Sequence, residues 1–270
     1  MPAIGPFDLN KKAAIVATIG EKPLDTAKKA VELGADVLEF RLDLAGIKNP
    51  ETATEIIGIL KTETGLPLLV TNRSRKEGGK WAGSEEERLS LLKALFFSEP
   101  TKKPLGCTKS NSFPEAVDLE LSADKKLRAE LIRLAKTQGK TVIISSHDFS
   151  KTPSFQEMKA ILKAAFLAGA DLAKLAVMPQ TRKDVLLLLQ LTLEARKQNW
   201  AVCTLAMGEL GKHTRVIAPF YGSLLTYASV EKPAAPGQLR VDRVKKAMEL
   251  LEIIPESDLG SAALKNGIKK

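Results

Sequence analysis

Residues 141–177 have the sequence TVIISSHDFSKTPSFQEMKAILKAAFLAGADLAKLAV, in which two apolar runs flank an amphipathic stretch. The runs Thr141–His147 and Leu172–Val177 have the length and composition of buried strands. Between them Ser154 and Glu157 form a capping box, which predicts the start of a helix. A strand, a helix and a second strand in this order predict two parallel strands joined by a crossover helix.

The same alternation continues in both directions along the chain. Six more apolar runs of strand length occur at Ala13–Ile19, Val37–Asp43, Pro67–Asn72, Ala116–Leu121, Ala201–Met207 and Leu224–Val230. Capping boxes at Thr52-x-x-Glu55 and Ser84-x-x-Glu87 predict two further helix starts. A weaker form of the same motif, with aspartate in place of glutamate, predicts a third at Thr181-x-x-Asp184. The last helix is expected over Val241–Ile254. About eight strand–helix units in roughly 250 residues favour a closed (β/α)8 TIM barrel of the α/β class over an open doubly wound sheet.

The length and composition favour one folded unit. With 270 residues, 44% of them hydrophobic, the chain can form a sizeable core, which excludes disorder as its main state. No linker interrupts the alternation, so we expect a single barrel domain over residues 1–270. Within it, Ser98–Ser112 is interpreted as a helix end and a loop, and Ser257–Lys270 as a flexible polar tail.

The hydropathy of the chain limits where in the cell the protein is expected. The positions of its cysteines and histidines limit the kinds of site it is expected to contain. The mean hydropathy is −0.06, and no apolar run approaches the roughly 20 residues of a membrane helix. The first run also lacks the flanks of a secretory signal, so we expect a cytoplasmic protein with no membrane partner. Cys107 and Cys203 lie far apart, as do His147 and His213. These spacings argue against a disulfide framework and a clustered zinc site.

The chain is basic, with 41 Lys and Arg against 32 Asp and Glu, a net charge of +9 and a pI near 9.4. Such a surplus is compatible with nucleic acid or with an anionic metabolite as partner. The basic residues, for example Lys28 and Lys29, are spread over predicted helical faces, with no basic arm and no interleaved aromatic residues. We therefore interpret them as solvated surface lysines and expect no nucleic-acid partner.

Polar side chains occur near the carboxyl ends of several predicted strands, where a barrel is normally apolar. They are Glu39, Arg41, Asp43, Asp118, Glu120, Ser145, His147 and Lys174. Their period-2 spacing places those of each strand on one face, and barrel enzymes build their active sites at this end of the strands. Structural explanations stay open, because Glu39, Arg41 and Asp43 are also compatible with a buried ion-pair network that fixes strand register. A lone His147 is compatible with a hydrogen-bonded core histidine.

A lysine in an apolar strand and near cations favours one kind of chemistry. Such surroundings disfavour the charged amine, so more of Lys174 is expected in the neutral form that attacks a carbonyl. The iminium of the resulting Schiff base is an electron sink, and His147 is the best-placed base to remove a proton from the adjacent carbon. Arg41, Arg73 and Arg215 are candidates to hold a carboxylate or phosphate. The predicted substrate is a small anionic carbonyl compound.

An ordered set of motifs carries a resemblance that covers nearly the whole chain. The segments are Glu39-Phe-Arg-Leu-Asp43, Arg73-Ser-Arg-Lys-Glu-Gly-Gly79, Asp118-Leu-Glu-Leu121, Ser146-His-Asp-Phe149 with Lys151-Thr-Pro153, Lys174-Leu-Ala-Val-Met-Pro-Gln180, Met207 through Arg215, and Pro236-Gly-Gln238. In this order they resemble type I 3-dehydroquinate dehydratases of the shikimate pathway.

The resemblance implies a barrel enzyme of the carbon–oxygen lyase class that needs no metal or cofactor. Lys174 would form an imine with the ketone of 3-dehydroquinate, and His147, oriented by Glu77, would act as base and then acid in syn loss of water. The residues that would bind or enclose the substrate are Glu39, Arg41, Arg73, Arg215, Gln238, Met207 and Phe149. Residues 232–238 would form a lid. The resemblance also implies a homodimer.

One position departs from the family pattern, and other readings stay open. Ala234 stands where the family usually has a lid serine, and losing its hydrogen bond to a charged group of the substrate costs about 1.5–3 kcal/mol if nothing replaces it. Thr18 and Thr214 replace serines but keep the hydroxyl. The alternatives are a class I aldolase with the same lysine chemistry and an inactive basic barrel that binds nucleic acid. No dinucleotide fingerprint accompanies the motifs, which argues against a fused shikimate dehydrogenase within this chain.

Overall fold

The computed structural model describes residues 2–97 and 113–251. Its strands, numbered in chain order, are β1 (Ala3–Ile4), β2 (Phe7–Asp8), β3 (Ala14–Ile19), β4 (Val37–Arg41), β5 (Leu68–Thr71), β6 (Ala116–Glu120), β7 (Thr141–Asp148), β8 (Leu172–Val177), β9 (Val202–Ala206) and β10 (Leu225–Ser229). Its helices are α1 (Pro23–Leu33), α2 (Leu42–Ala45), α3 (Pro50–Thr64), α4 (Glu85–Phe97), α5 (Lys125–Thr137), α6 (Phe155–Leu167), α7 (Arg182–Lys197), α8 (Gly208–Gly211), α9 (Thr214–Ile217) and α10 (Val241–Leu250).

Eight parallel strands form one sheet in the order β10-β3-β4-β5-β6-β7-β8-β9. Between its two end strands, the backbone N–H of Leu224 donates to the carbonyl of Val202 at 2.8 Å, and the N–H of Thr204 donates to the Ser223 hydroxyl at 3.1 Å. These contacts bring the sheet nearly to closure as a barrel surrounded by helices. The predicted (β/α)8 fold is thus confirmed.

The barrel has an inner and an outer core. Inside it, Val16, Val37, Leu69 and Ile143 pack with other inward-facing strand residues. The outer cluster fills the space between sheet and helices. Almost every strand residue is therefore buried, as parallel strands covered on both faces require.

A short antiparallel hairpin, β1 and β2, was not predicted from the sequence. Its Ile4 and the following Leu9 are buried in the inner cluster. The Thr141 hydroxyl at the start of β7 donates to the carbonyl of Ala3 at 2.5 Å. The hairpin therefore covers the amino-terminal end of the barrel and leaves the opposite end for a site.

Three helix starts follow the predicted chemistry and one does not. Ser84 with Glu87, Ser154 with Glu157 and Thr181 with Asp184 make the reciprocal hydrogen bonds of capping boxes. The predicted box at Thr52 was wrong. Asn49 caps α3 instead, accepting a hydrogen bond from the Thr52 N–H at 2.9 Å, because Pro50 fits the first helical position.

Two element ends differ from the prediction. Asp43 was expected on a strand, but β4 ends at Arg41 and Asp43 lies in the single-turn helix α2. Helix α10 ends at Leu250, before the predicted Ile254. The predicted loop Ser98–Ser112, Cys107 and the tail Ser257–Lys270 lie outside the described residues. Within the described ranges, no helix is both long enough and apolar enough to cross a membrane.

Candidate active site

One cavity lies at the carboxyl ends of the barrel strands, with a volume of about 510 Å³ that includes the space open at its mouth. All eleven residues predicted for the site line it, namely Glu39, Arg41, Arg73, Glu77, His147, Phe149, Lys174, Met207, Arg215, Ala234 and Gln238. They come from nearly the whole length of the chain, from Glu39 to Gln238. The barrel geometry thus brings them together at the end where such folds place active sites.

Lys174 projects from the middle of β8 and is only 5% exposed. Its Nζ lies 2.9 Å from Oδ2 of Asp118 and 3.9 Å from the centroid of the Tyr227 ring. Asp118 is on β6, two strands away, and alternate strands contribute to the same interior layer of a barrel. The sequence predicts apolar surroundings with nearby cations for Lys174. This prediction was incomplete, because the carboxylate of Asp118 also pairs with the amine.

Asp118 is the centre of the charge network beneath the cavity. It accepts a hydrogen bond from the Ser145 hydroxyl at 2.5 Å, and its Oδ1 lies 2.8 Å from Nη2 of Arg73. Burial alone would raise the pKa of Asp118, but Arg73 and Lys174 outweigh burial and hold the pKa well below its usual range. Asp118 therefore stays ionised and holds the Lys174 amine in a fixed position.

His147 and Glu77 form the second functional pair. Nδ1 of His147 lies 2.9 Å from Oε2 of Glu77, which also accepts the backbone N–H of His147 at 3.1 Å. The Ser122 hydroxyl donates to the other carboxylate oxygen of Glu77. These contacts fix the imidazole at the end of β7, with Nε2 left for other partners.

The surroundings shift the two pKa values of this pair in opposite directions. Burial, with added repulsion from Arg73 and Lys174, holds the pKa of His147 well below its ordinary value. Burial raises the pKa of Glu77 to about 7. The imidazole is therefore neutral near neutral pH, as a proton acceptor must be.

Two of the three candidate arginines are already occupied by acids of the chain. Arg41 makes a bidentate pair with Asp43, with distances of 2.8 and 2.7 Å. Arg73 pairs with Asp118 at 2.8 Å and Glu120 at 3.4 Å. Of the predicted network of Glu39, Arg41 and Asp43, the structure therefore contains the Arg41–Asp43 pair and does not contain an ion pair of Glu39 among the described residues.

Glu39 faces the cavity without such an arginine partner among the described residues. It is 2% exposed and accepts hydrogen bonds from the hydroxyls of Thr18 at 3.0 Å and Thr71 at 2.9 Å. A buried carboxylate held by two hydroxyls is suited to accept further hydrogen bonds from hydroxyl groups of a ligand.

Arg215 differs from the other arginines of the cavity. Its guanidinium donates to the carbonyls of Gly237, Tyr227 and Pro236 at 2.9, 3.0 and 3.1 Å. It is 1% exposed, and no carboxylate pairs with it in residues 2–97 and 113–251. Burial consequently lowers the pKa of Arg215 to about 10. A buried cation without an acid is a good candidate to bind an anionic ligand.

The predicted lid, residues 232–238, lies over the Arg215 side of the cavity. Oε1 of Gln238 accepts the backbone N–H groups of Ala234 at 2.6 Å and Ala235 at 3.3 Å, which folds the segment into a compact loop. Gly237 has φ +74° and lies against the backbone of Gly208, so a side chain there would clash. Ala234 contributes only a methyl group to the cavity lining.

Apolar groups complete the enclosure. The Phe149 ring stacks near the His147 imidazole, with 6.4 Å between centroids and 22° between planes. Gly78, with φ +79°, lies so close to this ring that a side chain would displace it. Met207 is buried at the end of β9. In residues 2–97 and 113–251, no group of three or more His, Cys, Asp or Glu side chains is arranged to hold a metal ion.

Sequence reasoning missed two residues of the site. Asp118 was noticed as a polar strand residue, but its pairing with Lys174 depends on strand order and tilt, which the local pattern does not contain. Tyr227 lies in a predicted strand, where an aromatic residue is typical of packing. No signal in the sequence distinguished it from a core residue.

Comparisons with known proteins point to one family. The family model described as type I 3-dehydroquinase matches residues 13–255. A 3-dehydroquinate dehydratase from Methanosarcina barkeri is 60% identical over 251 residues, which are 92% of this chain and 99% of the relative. A homologue of the same name from Methanosarcina acetivorans is 60% identical over 254 residues, covering 93% and 100%.

Two solved 3-dehydroquinate dehydratases are similar to this chain in structure, at lower sequence identity. The 3-dehydroquinate dehydratase from Geobacillus kaustophilus has a TM-score of 0.79 at 31% identity, with 89% of this chain and 91% of that chain covered. A type I enzyme from Clostridium difficile, solved with covalent modified comenic acid, has a TM-score of 0.79 at 30% identity, with coverage of 89% and 92%.

Proposed function

This chain belongs to the type I 3-dehydroquinase family, and we propose that it removes water from 3-dehydroquinate through a Schiff base on Lys174. The product is 3-dehydroshikimate, an intermediate of the shikimate pathway. The observation that carries the proposal is the presence of a buried lysine and a His147–Glu77 pair in one cavity. A nucleophilic amine and a neutral base facing the same space are the two groups that this elimination requires.

The first step forms the imine. Neutral Nζ of Lys174 attacks the ketone carbon, and one amine proton moves to the ketone oxygen to give a carbinolamine. A proton from solvent then allows the carbinolamine hydroxyl to leave as water, which leaves a protonated C=N bond. The proximity of Asp118 Oδ2, 2.9 Å from Nζ, supports this step because the carboxylate holds the amine in place and stabilises the cationic iminium.

His147 then performs the proton transfers. Its Nε2 removes a proton from the carbon next to the iminium. The released electron pair forms a carbon–carbon double bond and the π pair of the C=N bond moves onto nitrogen, which gives an enamine. The enamine electrons expel the hydroxyl on the following carbon, which leaves as water with the proton from His147. Hydrolysis of the imine releases 3-dehydroshikimate and restores Lys174. The contact of Nδ1 with Glu77 supports this role because it directs the lone pair of Nε2 towards the substrate.

Arg215 binds the substrate carboxylate in this proposal. The guanidinium is buried and lacks an acidic partner in the described part of the chain, so a ligand carboxylate would supply the missing charge. Glu39 and Gln238 accept or donate hydrogen bonds at the hydroxyl groups of the substrate. Arg41 and Arg73 line the same cavity, but their guanidinium groups are already paired with acids of the chain, so Arg215 is the better carboxylate site.

The remaining residues enclose the ring. Phe149 and Met207 supply apolar contact with the ring carbons. Residues 232–238 cover the bound ring and limit the access of water. The predicted homodimer, the cytoplasmic address and the absence of a cofactor stay predictions from the sequence.

The test is product analysis of the purified protein with 3-dehydroquinate. NMR should show 3-dehydroshikimate and no products of carbon–carbon cleavage. Lys174→Ala should lower turnover by at least about 10⁴-fold, since the nucleophile is lost. Lys140→Ala is a matched control, because Lys140 is a half-buried lysine that precedes β7 at the opposite end of the barrel. Cleavage products, or no reaction in the unmodified protein, would refute the proposal.

A further inference from the structure

Tyr227 is a buried polar residue of the cavity that the proposed reaction does not yet use. It lies on β10 and is 3% exposed, and its ring lines the same cavity as Lys174. Its hydroxyl has no hydrogen-bond partner in the described part of the chain. Buried hydroxyl groups are nearly always paired, because an unpaired one has lost its hydration without compensation. A partner supplied by a ligand would remove this cost.

The ring of Tyr227 also contacts the lysine on which the reaction is proposed to occur. Nζ of Lys174 lies 3.9 Å from the ring centroid, within the range in which an ammonium group is attracted by an aromatic face. Asp118 holds the same Nζ at 2.9 Å. The amine is therefore held by a carboxylate and a ring, which together limit the positions it can adopt.

The charges around Tyr227 determine which form its hydroxyl takes. Burial and the nearby carboxylates of Glu39 and Asp118 hold the pKa of Tyr227 well above its ordinary value. The phenol is therefore neutral near neutral pH, and it keeps its proton. A neutral phenol in this place can donate a hydrogen bond to an oxygen atom.

We propose that Tyr227 is a further positioning and binding residue: its ring positions the Lys174 amine, and its hydroxyl donates a hydrogen bond to a substrate oxygen. The ligand group is a hydroxyl or carboxylate oxygen of a polyhydroxylated cyclic acid. This inference rests on the proposed function. It also gives the cavity a polar contact that the methyl group of Ala234 cannot supply.

Two substitutions separate the roles of the hydroxyl and the ring. Tyr227→Phe keeps the ring and should raise KM by about 5- to 30-fold while kcat changes by less than about threefold, because one hydrogen bond to the substrate is lost. Tyr227→Leu also removes the aromatic face, and it should lower kcat by a further factor of about ten or more. Tyr221→Phe is the matched control, since Tyr221 is the other tyrosine of the chain and does not line the cavity.

Thermal unfolding of the same variants distinguishes these effects from damage to the fold. Tyr227→Phe should unfold at the same temperature as the unmodified protein or higher, because an unpaired buried hydroxyl has been removed. An unchanged KM in an active Tyr227→Phe enzyme would overturn the role of the hydroxyl. A kcat of folded Tyr227→Leu equal to that of Tyr227→Phe would overturn the role of the ring. Failure of the unmodified protein to convert 3-dehydroquinate would instead refute the proposed function.

Discussion

The two sides of the cavity hold their charges in different ways. We call the residues Arg73, Asp118, His147 and Lys174 the strand wall, because they belong to or closely follow β5 to β8. Arg215 and residues 232–238 form the lid side. On the strand wall, cations are paired with acids of the chain at distances such as 2.8 and 2.9 Å. On the lid side, the guanidinium of Arg215 is held by three backbone carbonyls and by no acid within residues 2–97 and 113–251.

From this difference we infer that the strand wall serves mainly the chemical steps and that the lid side serves mainly substrate binding. Paired charges on rigid strands are already in position before a ligand arrives, so little reorganisation is needed when the reaction begins. A buried cation without an acid is costly in the empty protein, and an anionic ligand removes that cost. Substitutions on the strand wall should therefore act mainly on kcat, and substitutions on the lid side mainly on KM.

The largest effect on the strand wall, after loss of Lys174 itself, is expected for His147→Ala. Turnover should fall by about 10³- to 10⁴-fold, because the proton transfers lose their base and acid. The amine is intact, so the imine still forms, and mass spectrometry should detect a covalent adduct that accumulates with 3-dehydroquinate. His213→Ala, at the other histidine, is the control and should keep normal turnover. Normal turnover in His147→Ala would contradict the proposed role.

Arg215→Lys tests the lid side. A lysine keeps the charge but cannot make the bidentate contact with a carboxylate or hold all three carbonyls, so KM should rise by about 100-fold and kcat should fall by less than about tenfold. Arg243→Lys, at an exposed position of α10, should change neither constant. If Arg215→Lys lowered kcat and left KM unchanged, the separation between the two sides would be wrong.

The pH dependence tests the Glu77–His147 pair. Below a pH of about 7, the raised pKa of Glu77 leaves its carboxyl protonated. That carboxyl then donates to Nδ1 and leaves the imidazole proton on Nε2, where it blocks the base. The value of kcat/KM should therefore rise with pH up to about 7 and level off above it. Because the pKa of His147 is lowered, its own titration lies at lower pH.

Glu77→Gln should remove the rise of kcat/KM with pH, because the titrating carboxyl is lost. We expect kcat/KM at pH 8 to fall by about 10- to 100-fold and the rise near pH 7 to disappear. The folded state should not lose stability at pH 8. A carboxyl whose pKa is raised by folding stabilises the protein fully only below its unfolded pKa, and that contribution is lost as the pH rises through about 7. If the rise near pH 7 persisted in Glu77→Gln, it would have to be assigned to another group.

The smallest effect is expected for Ala234→Ser on the lid. The added hydroxyl restores the group that the family resemblance places there, so KM should fall by about tenfold, the lower end of the value of one hydrogen bond to a charged group. Ala235→Ser is the neighbouring control. If neither variant changed KM or kcat, another group of the cavity would already supply the missing hydrogen bond.

Sequence reasoning was most successful where a pattern is local. The alternation of strands and helices predicted the barrel, and the period-2 spacing placed Glu39, His147 and Lys174 near one end of it. The capping box of Ser154 involves only four consecutive residues, so the start of its helix could be predicted from the sequence. The roles of Lys174, His147 and Arg215 were inferred from their residue types and positions, the other roles come from the family resemblance, and all of them stay predictions.

The features that escaped prediction depend on tertiary context. The Lys174–Asp118 pair joins residues 56 positions apart, and only the tilt of a closed barrel brings alternate strands into one layer. Asp43 follows the alternating pattern of a strand, yet its carboxylate turns back to Arg41 in a helical turn. The hairpin β1–β2 consists of two-residue strands, which are too short to produce a periodic signal.

The most direct test of the central claim is reduction of the working enzyme with borohydride. The protein would be incubated with 3-dehydroquinate and borohydride, and the intact chain would be weighed before peptide mapping. We predict one added substrate-derived group, located on Lys174, and loss of activity in proportion to the modification. Formation of 3-dehydroshikimate without any adduct, or an adduct on a different lysine, would contradict the assignment of Lys174 as the Schiff-base residue.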